Sequence, residues 1–423
     1  MSVRTVRREP TVASPPPAAP PTRGRMFASL RHRNYRLLWI GTVVSSSGDW
    51  MDIAALYYLV YDLTHNAGWL AAYSFMRAAP ILCLTLFGGV VADRFERRKL
   101  LFATQTFAMT LAVGLAVLVS GGWINIWEVL LIGFGRGVMM AFNQPARQSL
   151  ISELVPPADL QNAIALSSAS FNLTRIVGPM IGALSIAIAG LQGAFWLNAA
   201  SFIVLLWSLF AMKFPPQTRA VVRKSVLSSL GEGIGYIRRH GTLGPLVLLA
   251  TTPWIFGMTY QYILPVFAKD ILKVGARGDA FLLAASGCGG FAAALAIAAR
   301  SGKRNRGLQM LWGLALFGGA LVLFAESKLL PLSLIAMFGA GVGQMTYMAT
   351  NNSLVQEIVD PEYRGRVLST LSINMGFAPL GTAFASGMIA AFGAPTAQAV
   401  MGGALVLIAV VVGLRFRVVR GLH

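Results

Sequence analysis

The chain has 423 residues, 56% of them hydrophobic and 12% charged, with 44 glycines and a formal charge of +19. Soluble proteins of this size carry about 25% charged residues, so the composition excludes a soluble globular enzyme and places the chain among polytopic membrane proteins. Long continuous apolar runs exclude the alternating ~10-residue strands of a closed membrane barrel.

Residues 1–25, with Pro15-Pro16-Pro17 and Pro20-Pro21, read as a disordered tail. Arg7-Arg8 is not followed by a short apolar region at the right distance, so no cleaved signal peptide is expected. A membrane helix needs about 20 apolar residues. On that measure residues 26–213 form a first half, with spans near 35–61, 67–91, 99–120, 126–147, 163–189 and 194–213.

Charged residues inside these spans carry the sharpest chemistry. They are Asp49 and Asp52 in span 1, Arg77 in span 2, Arg136 in span 4 and Arg175 in span 5. The two aspartates are three residues apart and share a helix face. A rise of about 1.5 Å per residue puts Asp49, Arg77 and Arg136 near one level, around the bilayer midplane. A charge there costs at least ~2.5–3.5 kcal/mol, so each must face a cavity or a partner. Two readings follow. The charges form static ion pairs between spans 1, 2 and 4, or a carboxylate takes up a proton whenever its arginine neighbour withdraws. Asp49 is the first candidate for proton coupling and Asp52 the second. Together with Arg77, Arg136 and Arg175 they make a net positive cavity, suited to an anionic or zwitterionic substrate.

Between spans 2 and 3, Asp93-Arg94-Phe95-Glu96-Arg97-Arg98-Lys99 puts six charges in seven residues, which requires a loop at a membrane face. Asp93 can cap a helix N-terminus or pair with an arginine, and Arg147 after span 4 is a candidate partner. The plainer alternative is an ordinary basic loop. In span 5, Gly178-Pro179 and Gly182 remove a backbone donor and allow close helix approach. They bend or seal a pathway, or they only pack.

Segment 214–244 reads as a cytoplasmic linker, with Val226, Leu227, Leu230, Ile234 and Ile237 at the spacing of an amphipathic surface helix. The second half, 245–414, has spans near 245–268, 278–299, 308–326, 331–353, 367–391 and 396–414, followed by a cytoplasmic tail at 415–423. No charge is expected inside these spans. Trp254, Tyr260, Gln261, Tyr262, Gln344, Tyr347 and Asn374 are the candidates to line a site for a large amphipathic ligand, or else they pack.

The halves repeat at a shift of 204 residues, with nine identities in the 24 positions from Phe134 against Phe338. Gly135-x-Gly137, Glu153, Val155 and Pro157 match Gly339-x-Gly341, Glu357, Val359 and Pro361. The glycine pairs read as helix packing. At the counterpart of the Asp93 loop stands Arg300-Ser-Gly302-Lys303-Arg304-Asn-Arg306, with cations kept and the aspartate lost. Of the 35 lysines and arginines, 28 fall on the side of the two termini and the linker, 4 on the other side and three inside spans. The positive-inside rule puts both termini in the cytoplasm. Cationic loops facing anionic lipid are favoured over nucleic-acid binding. Cys83 and Cys288 fall in different halves, the four histidines fall in loops or tails, and no G-x4-G-K-[ST] motif occurs. Neither a metal site, a cofactor nor nucleotide hydrolysis is expected.

From Phe27 onward the chain resembles the major facilitator superfamily. Gly89, Asp93, Arg94, Arg97 and Arg98 are in register with its loop motif, although Glu96 stands where a second glycine is usual. That resemblance implies a latch between the halves on the cytoplasmic side. Gly178-Pro179 and Gly182 resemble the motif of proton antiporters, with Thr174 and Ala183 where glycine is preferred. Asn143-x-Pro145-Ala146-Arg147, Glu153-Leu154-Val155-Pro156 and the Gly48-Asp49 context resemble the subgroup of enterobactin-type siderophore exporters and macrolide efflux proteins. The resemblance implies twelve transmembrane helices in two pseudo-symmetric halves. It also implies a monomer in a bacterial inner membrane that exports siderophores, macrolides or other drugs against protons. A lysophospholipid flippase, an uptake symporter and a non-transporting sensor or scaffold are the alternatives, and buried charges speak against the last.

Overall fold

The computed structural model describes residues 27–212, 235–299, 305–360, 363, 367 and 377–422. The tail at 1–25, most of the linker, residues 300–304 and Asn374 lie outside the described residues. The side chains of Asp93 and Arg94 and the surroundings of Gly89 lie outside them too.

The described regular elements are helices: α1 (Arg33–Thr64), α2 (Ala67–Arg94), α3 (Arg97–Gly121), α4 (Ile126–Leu154), a long element Pro157–Ala211, α7 (Leu243–Ile271), α8 (Gly275–Ala299), α9 (Arg306–Glu326), α10 (Leu330–Ile358), α11 (Ala378–Phe392) and α12 (Ala394–Arg415). Gly190, at φ 68°, breaks the long element into α5 (157–189) and α6 (191–211). A side chain would be strained there, so this glycine sets the hairpin between two spans. Among the described residues, twelve long helices in two sets of six result, as the sequence predicts. Phe87, Ile188, Phe210, Trp312 and Leu414 stand exposed on the outside, where hydrocarbon replaces water as the solvent.

Local chemistry sets the helix ends. Asn125 accepts from the Trp127 amide at 2.9 Å while Glu128 accepts from the Asn125 amide at 2.7 Å, a capping box that starts α4. Asn66 caps α2 by accepting from the Gly68 amide at 2.8 Å. α7 is not a regular helix. The Met258 amide donates to the Pro253 carbonyl and the Leu272 amide to the Phe267 carbonyl, so Pro253–Gly257 and Phe267–Ile271 are wide π-turns around Tyr260–Val266.

The 204-residue repeat reappears as packing. A β-carbon on Gly137 would lie 2.2 Å from the Arg77 carbonyl oxygen of α2, and one on Gly341 would lie 1.9 Å from the Ser286 carbonyl oxygen of α8. Gly135 and Gly339 face α3 and α9 respectively. Each glycine pair thus lets α4 and α10 press on two neighbours at once. The repeated glutamates are also explained: Glu153 pairs with Arg97 at the start of α3, and Glu357 pairs with Arg306 at the start of α9.

These anchors lie at the end of the bundle that holds both termini, here called proximal. There Arg98 donates to the Leu209 and Phe210 carbonyls at 2.8 and 2.9 Å, satisfying the C-terminus of α6. His32 meets Asp159 at 2.8 Å, and Ser29 donates to Asn162, so the segment before α1 is tied to α5. Of the linker, the described turn at 235–239 docks on the second half, where Tyr236 donates to Asp360 at 2.9 Å and stacks on Tyr363. The remainder of the expected amphipathic helix falls outside the described residues.

Candidate functional site

α1 is the axis of the site because small residues let two helices close on it. A β-carbon on Gly48 would strike Ser201 and Asn198 of α6, and one on Gly178 would lie 2.7 Å from the Ser47 carbonyl oxygen. Gly182 meets Met51. Gly178-Pro179 and Gly182 therefore hold α5 against the stretch of α1 that carries Asp49 and Asp52.

Asp52 is fully buried and is held by both Nη groups of Arg136, with Nη2 to Oδ1 at 3.1 Å. The pair joins α1 to α4 with two parallel donors, the geometry a guanidinium offers a carboxylate. Asp49 lies one turn closer to the proximal end and is only partly covered. It has no hydrogen bond or ion pair among the described residues. Arg136, Arg77 and Arg147 lie within electrostatic range of it. The two aspartates thus differ: Asp52 is ion-paired, and Asp49 has no such partner among the described residues.

Arg77 of α2 lies beside Tyr57, Tyr73 and Tyr262. The Tyr57 ring sits 5.1 Å from Tyr73 and 4.5 Å from Tyr262, so aromatic rings from α1, α2 and α7 cluster within electrostatic range of the cation. Arg175 of α5 reaches across the halves and donates to the Met348 sulfur of α10 at 3.2 Å. It shares a crevice of about 30 Å³ with Tyr260, Gln261, Ser286 and Gln344. Tyr260 and Ser286 share a hydrogen bond of 2.7 Å, and Tyr260 donates to Gln344 at 3.4 Å. That space admits one or two waters, so a larger ligand needs the halves to move.

Other expected residues lie apart. Tyr347 donates to the Leu249 carbonyl at 2.5 Å and ties α10 to α7, while Trp254 stands in the first π-turn of α7. Arg147 donates to Gln144 at 2.8 Å on its own helix. The latch motif shows Arg97 and Arg98 occupied within the first half. The Asp93–Arg147 pairing lies outside what the described side chains include.

One expectation is overturned: the second half does contain a charged residue within a span. Asp279 lies in α8 at 3% exposure, and its Oδ1 has no hydrogen-bond partner among the described residues. It is the second residue of the span expected at 278–299, where α8 packs against α1, α5 and α10. Also absent from the sequence reading is a polar seal at the distal end, remote from the termini. There Lys269 pairs with Asp62 at 2.5 Å and meets His65 at 3.2 Å, Tyr61 donates to Asp270, and Ser386 donates to the Ala67 carbonyl at 2.8 Å. The readable signal was the placement of Asp62 near the end of α1 and of Lys269 and Asp270 near the end of α7, which puts opposite charges at one end of the bundle.

The transmembrane secretion effector family model matches residues 25–421. The chain is 25% identical to the staphyloferrin A transporter of Staphylococcus aureus, over 86% of this chain and 91% of that protein. It is 25% identical to the multidrug efflux pump Tap of Mycolicibacterium fortuitum, over 84% and 89% respectively. Among solved structures, the inward-facing occupied form of a bacterial homolog of the human lysosomal transporter Spinster superposes with a TM-score of 0.71 at 15% identity, covering 91% of this chain and 97% of that one. That likeness is one of fold.

Proposed function

The chain belongs to the transmembrane secretion effector family, and on that premise we propose that it is a proton-coupled exporter of amphipathic small molecules working by alternating access. Membership makes it a multi-pass membrane transporter of the major facilitator type, not an enzyme. The observation that carries the finer reading is the contrast between Asp52, pinned by Arg136, and Asp49, unpartnered one turn away within range of three arginines. A carboxylate so placed gains or loses a proton as its cationic neighbours shift, whereas a paired one does not.

The substrate reading follows from the lining. Arg175 offers positive charge in the crevice, with Arg77 set within range of the tyrosines beside it, and Tyr260, Gln261 and Gln344 offer aromatic and amide contact across the seam. That combination suits an anionic or zwitterionic amphiphile, such as a siderophore or drug of the kind its relatives' names specify. The positive-inside count favours a cytoplasmic proximal end, which places the distal seal on the side away from the cytoplasm, and a monomer is the form proposed.

Reconstituted vesicles with an imposed pH gradient test the proposal, with staphyloferrin A and cationic and anionic drugs as probes. Gradient-driven flux is expected for the native chain and its loss for Asp49→Asn, with substrate binding retained. Equal flux in the Asp49→Asn variant would remove proton coupling at this residue.

A further inference from the structure

Asp279 is a buried carboxylate, apart from the Asp52–Arg136 pair, that the Asp49 reading leaves unused. It sits at the fifth position of α8, past the point where a side chain can cap the helix start. Its Oδ1 has no partner among the described residues. A β-carbon on Gly275, one turn before it, would lie 3.7 Å from the Tyr58 hydroxyl of α1, and Tyr58 is within electrostatic range of both Asp279 and Asp62. α1 of the first half is therefore part of the lid over a carboxylate of the second half.

The groups around Asp279 offer it no counter-charge. On α1 they are Tyr58, Tyr61 and Asp62, and Tyr61 and Asp62 are engaged by Asp270 and Lys269. On its own element and the preceding connection, Arg277 and Lys273 point to the exposed surface, and Arg277 is two residues away on the opposite side of the helix. α5 meets α8 through Arg175, but in the crevice at Leu283–Gly290, deeper in the bundle. α10 carries no titratable residue between Leu330 and Gln344. A carboxylate enclosed without cation or donor is far more costly charged than neutral.

We propose that Asp279 is a second proton-binding carboxylate, loaded from the distal side, whose neutralisation permits the distal seal to close. When the seal parts, α1 with Tyr58 withdraws and Asp279 meets water, where it ionises. Closing the seal again buries it and requires the proton back. The distal seal is then favoured by acid on that side, independently of the proton carried by Asp49. The inference rests on alternating access, but not on Asp49 as the coupling group.

Spin labels on Trp123→Cys and Lys328→Cys, exposed connections of opposite halves, read the opening of the distal end in the full chain, after Cys83 and Cys288 are replaced by serine. The expected result is a distance distribution that shifts to longer values from acid to alkaline pH in the otherwise native chain. Asp279→Asn should lose that shift and stay closed, while Asp49→Asn should keep it. Asp279→Glu, which still titrates, should keep the shift with a displaced midpoint and serves as the readout if the asparagine variant does not fold. An unchanged pH response in Asp279→Asn, an undisplaced midpoint in Asp279→Glu, or no response in the native chain would overturn the proposal. Failure of the Asp49 reading shows differently, as normal gradient-driven flux in Asp49→Asn with the distal response intact.

Discussion

The two halves share a scaffold and not a chemistry. Gly137 and Gly341 perform the same packing task against α2 and α8, and Glu153 and Glu357 anchor equivalent arginines. Yet Arg136, between the glycines of the first half, has Ala340 as its repeat partner, and Asp52 has no counterpart ion pair in the second. Backbone contacts constrain sequence on both sides of the pseudo-axis, because a side chain at those glycines has nowhere to go. The midplane charge is not so constrained, and there the halves have diverged into an ionic half and an aromatic–amide half.

The largest effect should come from breaking what the second half lacks. Asp52→Asn leaves Arg136 buried without its counter-ion and is expected to cost about 3–5 kcal/mol in detergent unfolding. Replacing the pair together by Asp52→Leu and Arg136→Met should recover most of that loss. If the double variant is as unstable as the single one, the pair is not the reason the halves differ here. Next come the shared glycines. Gly137→Ala and Gly341→Ala should each cost about 1–3 kcal/mol, since both force apart helices that touch through backbone atoms. Gly319→Ala, with no atom within 4 Å of its β-carbon, is the near-neutral control. A large difference between Gly137→Ala and Gly341→Ala would break the symmetry argument.

Smaller effects sharpen the contrast. Tyr57 and Tyr260 each share a 2.7 Å hydrogen bond with a serine on the following helix, Ser74 and Ser286. Tyr57→Phe and Tyr260→Phe should each cost about 1 kcal/mol of stability. Only Tyr260→Phe is expected to change apparent substrate affinity together with Gln344→Ala, as both line the crevice. The smallest effects belong to the proximal anchors: Glu153→Gln and Glu357→Gln, at partly exposed ion pairs, should each cost about 1 kcal/mol or less and lose it in high salt.

Most of the fold could be read in advance because its determinants are local or repeated. Apolar run length specifies a spanning helix, and the glycine repeat encodes helix contact. The first-half charges were also legible, since a charge within an apolar run needs a partner and few are on offer. Which acid Arg136 would choose was not legible, because Asp49 and Asp52 share a face and differ only by a turn of depth. Tyr347 was misleading for a related reason: an aromatic hydroxyl in a span fits a ligand site as well as it fits the Leu249 carbonyl. Asp279 and the Lys269–Asp62 seal escaped notice because their burial depends on contacts between halves that are some 200 residues apart in sequence. Span edges look like loops until the partner helix is in place.

The two π-turns of α7 carry a consequence for how the seam can be regeared. A wide turn holds about one residue more than an α-turn, so straightening either one rotates the stretch beyond it by about 100° about the helix axis. Tyr260, Gln261 and Tyr262 lie between the two turns. If one turn tightened as the other widened, these three side chains would swivel as a single cam, while both ends of α7 kept their grip on the bundle.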